Sequence, residues 1–178
     1  AEAEMDAGPV WASQTFAMRA AKKSSLYRNE VTEAALRAVR AAIDRLPGYR
    51  AGTWSPQAVP LKPMHARLTQ AERAIDWARD DTQRVLRKLN AADGFPGVAD
   101  SLFNQPCHLF NARRFDARGE PGTVLGRVGD GVVRATVDGA VWLGQAKRAG
   151  GIKLPVVVAF PELAELATLT EDDGDIRY

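Results

Sequence analysis

The sequence predicts an α+β fold, and three stretches carry that reading. The first is GTVLGRVGDGVVRATVDGAVWLGQAK, residues 122–147. It holds two Asp-Gly pairs, Asp130-Gly131 and Asp138-Gly139, eight residues apart and flanked by runs of Val, Leu and Trp. Asp-Gly suits the positive-φ positions of a type I′ hairpin turn, so a three-strand meander is expected over 123–128, 132–137 and 140–146. The second is the run 26–46, where Val31, Ala35, Val39, Ala42, Ile43 and Leu46 recur with helical period. The third starts at Asp80, whose spacing to Gln83 fits a capping box ahead of the apolar face Val85, Leu86 and Leu89.

Taken in order, residues 1–6 are acidic and Ala7-Gly8-Pro9 turns the chain. Val10–Met18 alternates Val10, Ala12, Gln14, Phe16 and Met18, as a strand does. Ser24 is placed as an N-cap for the first helix, and Pro47-Gly48 as its stop. From Tyr49 to Leu68 the prolines Pro56, Pro60 and Pro63 and the lack of a period predict an extended linker, whose Trp54 and Met64 could still pack onto another part of the chain. The second long helix is expected to end near Asn90, before the turn Asp93-Gly94-Phe95-Pro96-Gly97. Leu102–Phe103 and Cys107–Phe115 are strand candidates, with Pro106 tolerated at a strand start. After the meander, 152–160 is a last apolar run and 161–169 a short helix.

Composition narrows the functional classes. The apolar fraction of 46% and charged fraction of 26% are ordinary for a globular chain. No apolar run approaches the roughly 20 residues that cross a bilayer. One cysteine, Cys107, excludes an internal disulfide, and with only His65 and His108 it is too little for a Cys/His zinc site. Net charge is +2, but residues 161–178 hold six acids and one base, leaving 23 bases against 16 acids in 1–160. That surplus suits an anionic partner or a solvated surface. There is no P-loop, no nucleophile elbow, and Arg134 stands where the third glycine of a dinucleotide fingerprint would follow Gly129 and Gly131. One carboxylate stands out. Asp6 precedes a Gly-Pro turn that feeds the first strand candidate, a place for a turn residue or for a group projecting into a cleft.

Asp6-Ala7-Gly8-Pro9-Val10 resembles the D-[GAT]-G-[PD]-[VI] segment of formyltetrahydrofolate-dependent formyltransferases and hydrolases. Ile75-Asp76-Trp77, Phe95-Pro96-Gly97, the run Gly119 to Leu125 (GEPGTVL) and Val137-Asp138-Gly139 with Trp142-Leu143 are similar to the C-terminal domain of methionyl-tRNA formyltransferase. The runs from Lys23 to Glu33, Arg73 to Trp77, Ala92 to Val98 and Ala135 to Trp142 look like the HypX/HoxX type of hydrogenase-maturation protein. The order and spacing of these pieces over nearly the whole chain make the joint resemblance specific.

The resemblance implies an OB-like open antiparallel β-barrel at 73–160. Before it would come a strand and helix remnant of an α/β catalytic domain at 1–47 and a Pro-rich linker at 48–72. After it, 161–178 would be an acidic tail leading to a crotonase-like domain. It implies an enzyme that takes the formyl group of 10-formyltetrahydrofolate, passes it to coenzyme A and releases carbon monoxide for the nickel-iron site of hydrogenase. Asp6 falls where the family's Asp orients a catalytic His. The family's Asn and His would lie upstream of Ala1, and neither His65 nor His108 stands in for them. The chain alone is therefore expected to be inactive and to bind neither folate nor coenzyme A strongly, with the apolar face of 1–47 exposed. A cytoplasmic protein with small-molecule partners and no membrane partner is expected. The alternative is an RNA-binding module with Trp142, Phe110 and Phe115 as stacking platforms, against which stands their packing in the core. Lys22, Lys23 and Arg28 are candidates to touch a cofactor phosphate, against simple solvation.

Overall fold

Residues 8–58, 65–170 and 176–177 are described by a computed structural model, in which the chain divides into two units, 1–20 with 25–67 and 21–24 with 68–178. The first expected helix forms as α1 (Lys23–Leu26), a π-helical turn (Tyr27–Val31) and α2 (Thr32–Asp44). The Thr32 hydroxyl donates to the Tyr27 carbonyl five residues back, at 2.7 Å, the reach a widened π turn opens. Ser24 is not the cap, since it lies inside α1 and its hydroxyl donates to Asp93 Oδ2 at 2.9 Å. Nor do Pro47-Gly48 end the helical path. Proline needs no N–H in a first turn, and Pro47 there opens α3 (Leu46–Arg50).

The α2 face read from the sequence is real and uncovered. Val39 and Ile43 on it are exposed, as is neighbouring Leu36. Each leaves unrealised about half of the roughly 1.5–3 kcal/mol that full burial would contribute. Val10–Met18 does not become a strand. A ladder needs a neighbour along its length, and here only Val10 has one, bridging Gln57. Trp54 does pack back, with its ring 5.3 Å from Trp11, which also meets Tyr49 edge-on at 4.8 Å. Met64 lies outside the described residues.

Beyond 21–24, the second unit resumes at Leu68 with α4 (Gln70–Arg73), opened by a capping box between Thr69 and Glu72. The box expected at Asp80 and Gln83 is absent. Asp81 caps α5 (Thr82–Ala92) by accepting from the Arg84 amide at 2.6 Å, while Asp80 turns inward. The strands are β1 (Val98–Leu102), β2 (Gln105–Phe115), β3 (Val124–Val128), β4 (Gly131–Ala135), β5 (Ala140–Arg148), β6 (Lys153–Pro155) and β7 (Ile176–Arg177). All pairs are antiparallel, in the order β1-β2-β5-β4-β3 with β6 on β5 and β7 on β2. The two long strands each change neighbour along their length. β5 meets β4 through 140–143 and β6 through 145–147, as a sheet curling into an open barrel requires. After β6, 156–159 form the short α6 (Val156–Ala159), and Pro161–Glu165 is a 3-10 turn where a helix over 161–169 was expected.

Both expected Asp-Gly turns are placed differently. Val128 pairs with Gly131, so the first loop is Gly129-Asp130, with Gly129 at φ 53°, the glycine-first pattern of a type II′ turn. Gly131 moves into the strand because Trp142 lies against it. A Cβ there would stand 2.4 Å from the indole, whose Nε1 donates to Val128 O at 3.0 Å. In the second loop, 136–139, Asp138 faces away from the turn toward α5. Its Oδ1 accepts from the Thr82 amide and hydroxyl, both at 2.7 Å. The amide bond foremost, then the hydroxyl, hold Asp138 below the usual carboxylate range. Among the described residues, the two-residue loop with both φ positive is Phe103-Asn104, between β1 and β2.

Among the described residues, the core of the second unit consists of two clusters. Val85, Leu89 and Ala92 of α5 pack with Leu109, Ala112, Leu143 and Ala146 of the sheet and with Val156, Phe160 and Leu163. Phe115, Val133 and Ala140 form a second cluster with Trp142. The core residues of β2 and β5 skip phase at the same level, Leu109 to Ala112 and Leu143 to Ala146. Asn111 takes φ 56° at that step.

Candidate functional site

The phase change at Asn111 turns one end of the sheet into a groove. Cross-strand register places His108 opposite Lys147, and Lys147 opposite Lys153, so three basic side chains form a row across β2, β5 and β6. Phe110, two residues beyond His108, is the buried floor. Lys153 Nζ stands 5.1 Å from the Phe110 ring centroid. The 94–96 turn and residues 151–153 make the walls of a half-open groove of about 520 Å³. Gly97 is what brings that turn close. It takes φ 79°, and a Cβ there would stand 2.4 Å from Phe110 Cζ.

Behind the groove a polar chain fixes the turn. Asp93 accepts from Ser24 Oγ at 2.9 Å and from the Asn111 amide at 3.0 Å. Lys22 Nζ bonds Asn111 Oδ1, and Lys23 Nζ donates to Phe95 O at 2.8 Å. Burial pushes the Lys22 ammonium below its ordinary range. Asp93 pulls it back up, and Arg113 and Lys153 push it down. Two of the three basic residues singled out in the sequence, Lys22 and Lys23, therefore have structural partners, while Arg28 is exposed in the π turn. The Lys147–Lys153 row was missed in sequence. Its signal is a cross-strand register, which no local pattern states.

Asp6, the predicted catalytic residue, lies outside the described residues. His65 is exposed and His108 joins the groove rather than any nucleophile. Cys107 is no nucleophile. Burial first, then the Asp100 charge, push its thiol up to about 11. Native protein is expected to resist a thiol-specific disulfide reagent at pH 8 and to react with one equivalent once unfolded. Rapid native labelling would contradict that environment. Of the stacking candidates, Phe110 and Phe115 are buried in the sheet, and Trp142 is held by its bond to Val128 and by Arg113 at 5.4 Å. Phe110 and Phe115 thus present no exposed stacking face, and Trp142 is partly buried. Among the described residues no helix is long and apolar enough to cross a membrane, and no group of three or more His, Cys, Asp or Glu could hold a metal.

An antiparallel sheet curled over α5 and entered through a capped turn has the architecture of a formyltransferase C-terminal domain. Residues 67–160 match the family described as formyl transferase, C-terminal domain, and the chain belongs to that family. Over its whole length it is 45% identical to the hydrogenase maturation factor HoxX of Bradyrhizobium diazoefficiens, and spans 32% of that protein. It is 27% identical to the methionyl-tRNA formyltransferase of Dechloromonas aromatica across 87% of this chain and 49% of that one. The crystal structure of HypX from Aquifex aeolicus in complex with tetrahydrofolic acid superposes with a TM-score of 0.84 at 37% identity, over 93% of this chain and 29% of HypX. The chain thus covers about a third of the length of its HoxX and HypX relatives.

Proposed function

We propose that this chain is the middle portion of a formyltransferase-like hydrogenase maturation factor. Such a factor takes formyl from 10-formyltetrahydrofolate, passes it to coenzyme A and supplies carbon monoxide to the nickel-iron site. The observation that carries the reading is the likeness to HoxX, which runs through the entire chain rather than through the barrel alone. The tetrahydrofolic acid bound by the similar HypX supports folate as the one-carbon donor. On this reading 1–47 ends a catalytic domain, 48–72 links it to the barrel of 73–160, and 161–178 leads toward a crotonase-like domain. Asp6 then orients the catalytic imidazole, and the protein works in the cytoplasm.

On this reading the barrel groove is not the folate site. Its charged groups are ammoniums, and the nearby carboxylate, Asp93, is already engaged, so nothing acidic is left to receive the donor edge of a pterin. On this reading 73–160 serves formyl transfer by position, with 176–177 of the segment that follows it paired to β2.

A hybrid tests this. In HypX of Aquifex aeolicus, the matching segment is replaced by this chain and the hybrid is assayed for tetrahydrofolate binding and for hydrogenase maturation in a host lacking its own factor. Both are expected to persist, and Asp6→Asn in the hybrid is expected to abolish maturation while leaving folate bound. A well-folded hybrid that does neither sinks the reading.

A further inference from the structure

We propose that the groove over Phe110 binds a small nucleotide-type ligand, with an aromatic ring held between Phe95 and Ile152 and a phosphate or diphosphate between Lys147 and Lys153. Two observations converge on it. The first is charge. Like charges directly opposite on adjacent strands repel, yet Lys147 and Lys153 are paired so, and His108 extends the row. Among the described residues the ion pairs all lie elsewhere, and none of their carboxylates forms an ion pair with that row. A phosphate seated there would offset the repulsion with charge-assisted hydrogen bonds.

The second observation is apolar exposure. Among the large hydrophobic residues of the second unit, Phe95 at 79% and Ile152 at 73% are the most exposed, and both stand on the walls of this one groove. The turn that carries Phe95 is already held, by Lys23 on its carbonyl and by Gly97 against Phe110, so little order is lost on binding. The groove of about 520 Å³ is in the range of small-molecule sites.

The same facts favour a single nucleotide over a strand of RNA. Polynucleotide binders stack successive bases on successive aromatic rings. Phe95 is the one exposed aromatic of the second unit among the described residues, and it serves one ring.

The inference is independent of the formyl-transfer reading, and its test uses no formyl donor. ADP and inorganic pyrophosphate are titrated into the full chain by calorimetry at low salt, beside the double variant Lys147→Gln/Lys153→Gln and Phe95→Ala. These side chains are exposed, and thermal melts check that each variant folds. ADP is expected to bind, the double variant to bind it about tenfold or more weakly, and Phe95→Ala to weaken ADP but not pyrophosphate. Absence of ADP binding at millimolar concentration would overturn the proposal, as would equal affinity of the double variant. So would pyrophosphate binding as tightly as ADP, or single-stranded RNA that binds and is not displaced by ADP.

Discussion

Asp80→Ala is expected to destabilise the folded chain by about 3–5 kcal/mol, the cost of removing one partner from a buried ion pair. The Asp80 side chain is 4% exposed and that of Lys88 18%. Lys88 Nζ bonds Asp80 Oδ2, Arg84 Nε lies 3.0 Å from Oδ1, and the Asp76 amide donates to Oδ2 at 3.0 Å. Alanine would leave the Lys88 ammonium with only the Ala74 carbonyl, at 2.6 Å. Chemical denaturation measures the loss. Adding Lys88→Met to Asp80→Ala is expected to recover part of it, because the stranded charge goes too.

The same carboxylate sets a pH dependence. Burial alone pushes Asp80 up, but the hydrogen bonds from Lys88 and Asp76 and the charges of Lys88 and Arg84 outweigh it and hold it below its ordinary 3.8. A folded-state value below the unfolded one gives stability that is complete above about pH 4 and lost as pH falls through the folded value. The melting temperature of the parent chain is expected to fall more steeply than that of Asp80→Ala below about pH 4. Parallel curves would remove Asp80 from the account.

Phe160→Ala is the second large effect, about 3–5 kcal/mol for emptying a fully buried aromatic site. Phe160 has no exposed surface, its ring lies 6.4 Å from that of Phe103, and it joins the core of α5 and the sheet. Its backbone is fixed on both sides, by its amide on Val156 O and by Leu163 N on its carbonyl, so the site cannot collapse freely. Denaturation with an unchanged m-value and a stability loss under about 1 kcal/mol would show that the 156–165 segment is loosely attached.

Much of the fold was legible in local pattern. The periods of 26–46 and of Val85, Leu86 and Leu89 announced helices that form, and the β-rich stretch 122–147 became three paired strands. The misplacements are of one kind. Asp130-Gly131 yielded the turn to Gly129-Asp130 because Trp142, eleven residues on, needs Gly131 bare. Asp138 left its turn for Thr82, far upstream in the chain. Asp81 took the cap because Asp80 was drawn to Lys88 and Asp76. Val10–Met18 alternates like a strand but finds a ladder partner only at Val10. In each case the local preference was sound, and the presence or absence of a tertiary partner outweighed it.

The amino-acid sequence by itself determined the family, the helices and the β-rich half, because those rest on residue order and on periods of a few residues. Only the tertiary structure decided which Asp caps a helix, which glycine turns a hairpin, and that Lys147 and Lys153 stand side by side over Phe110. Cross-strand register and burial bring together residues that the chain keeps far apart. A row of like charges, visible only after that pairing, is what marks the groove as a site for an anion.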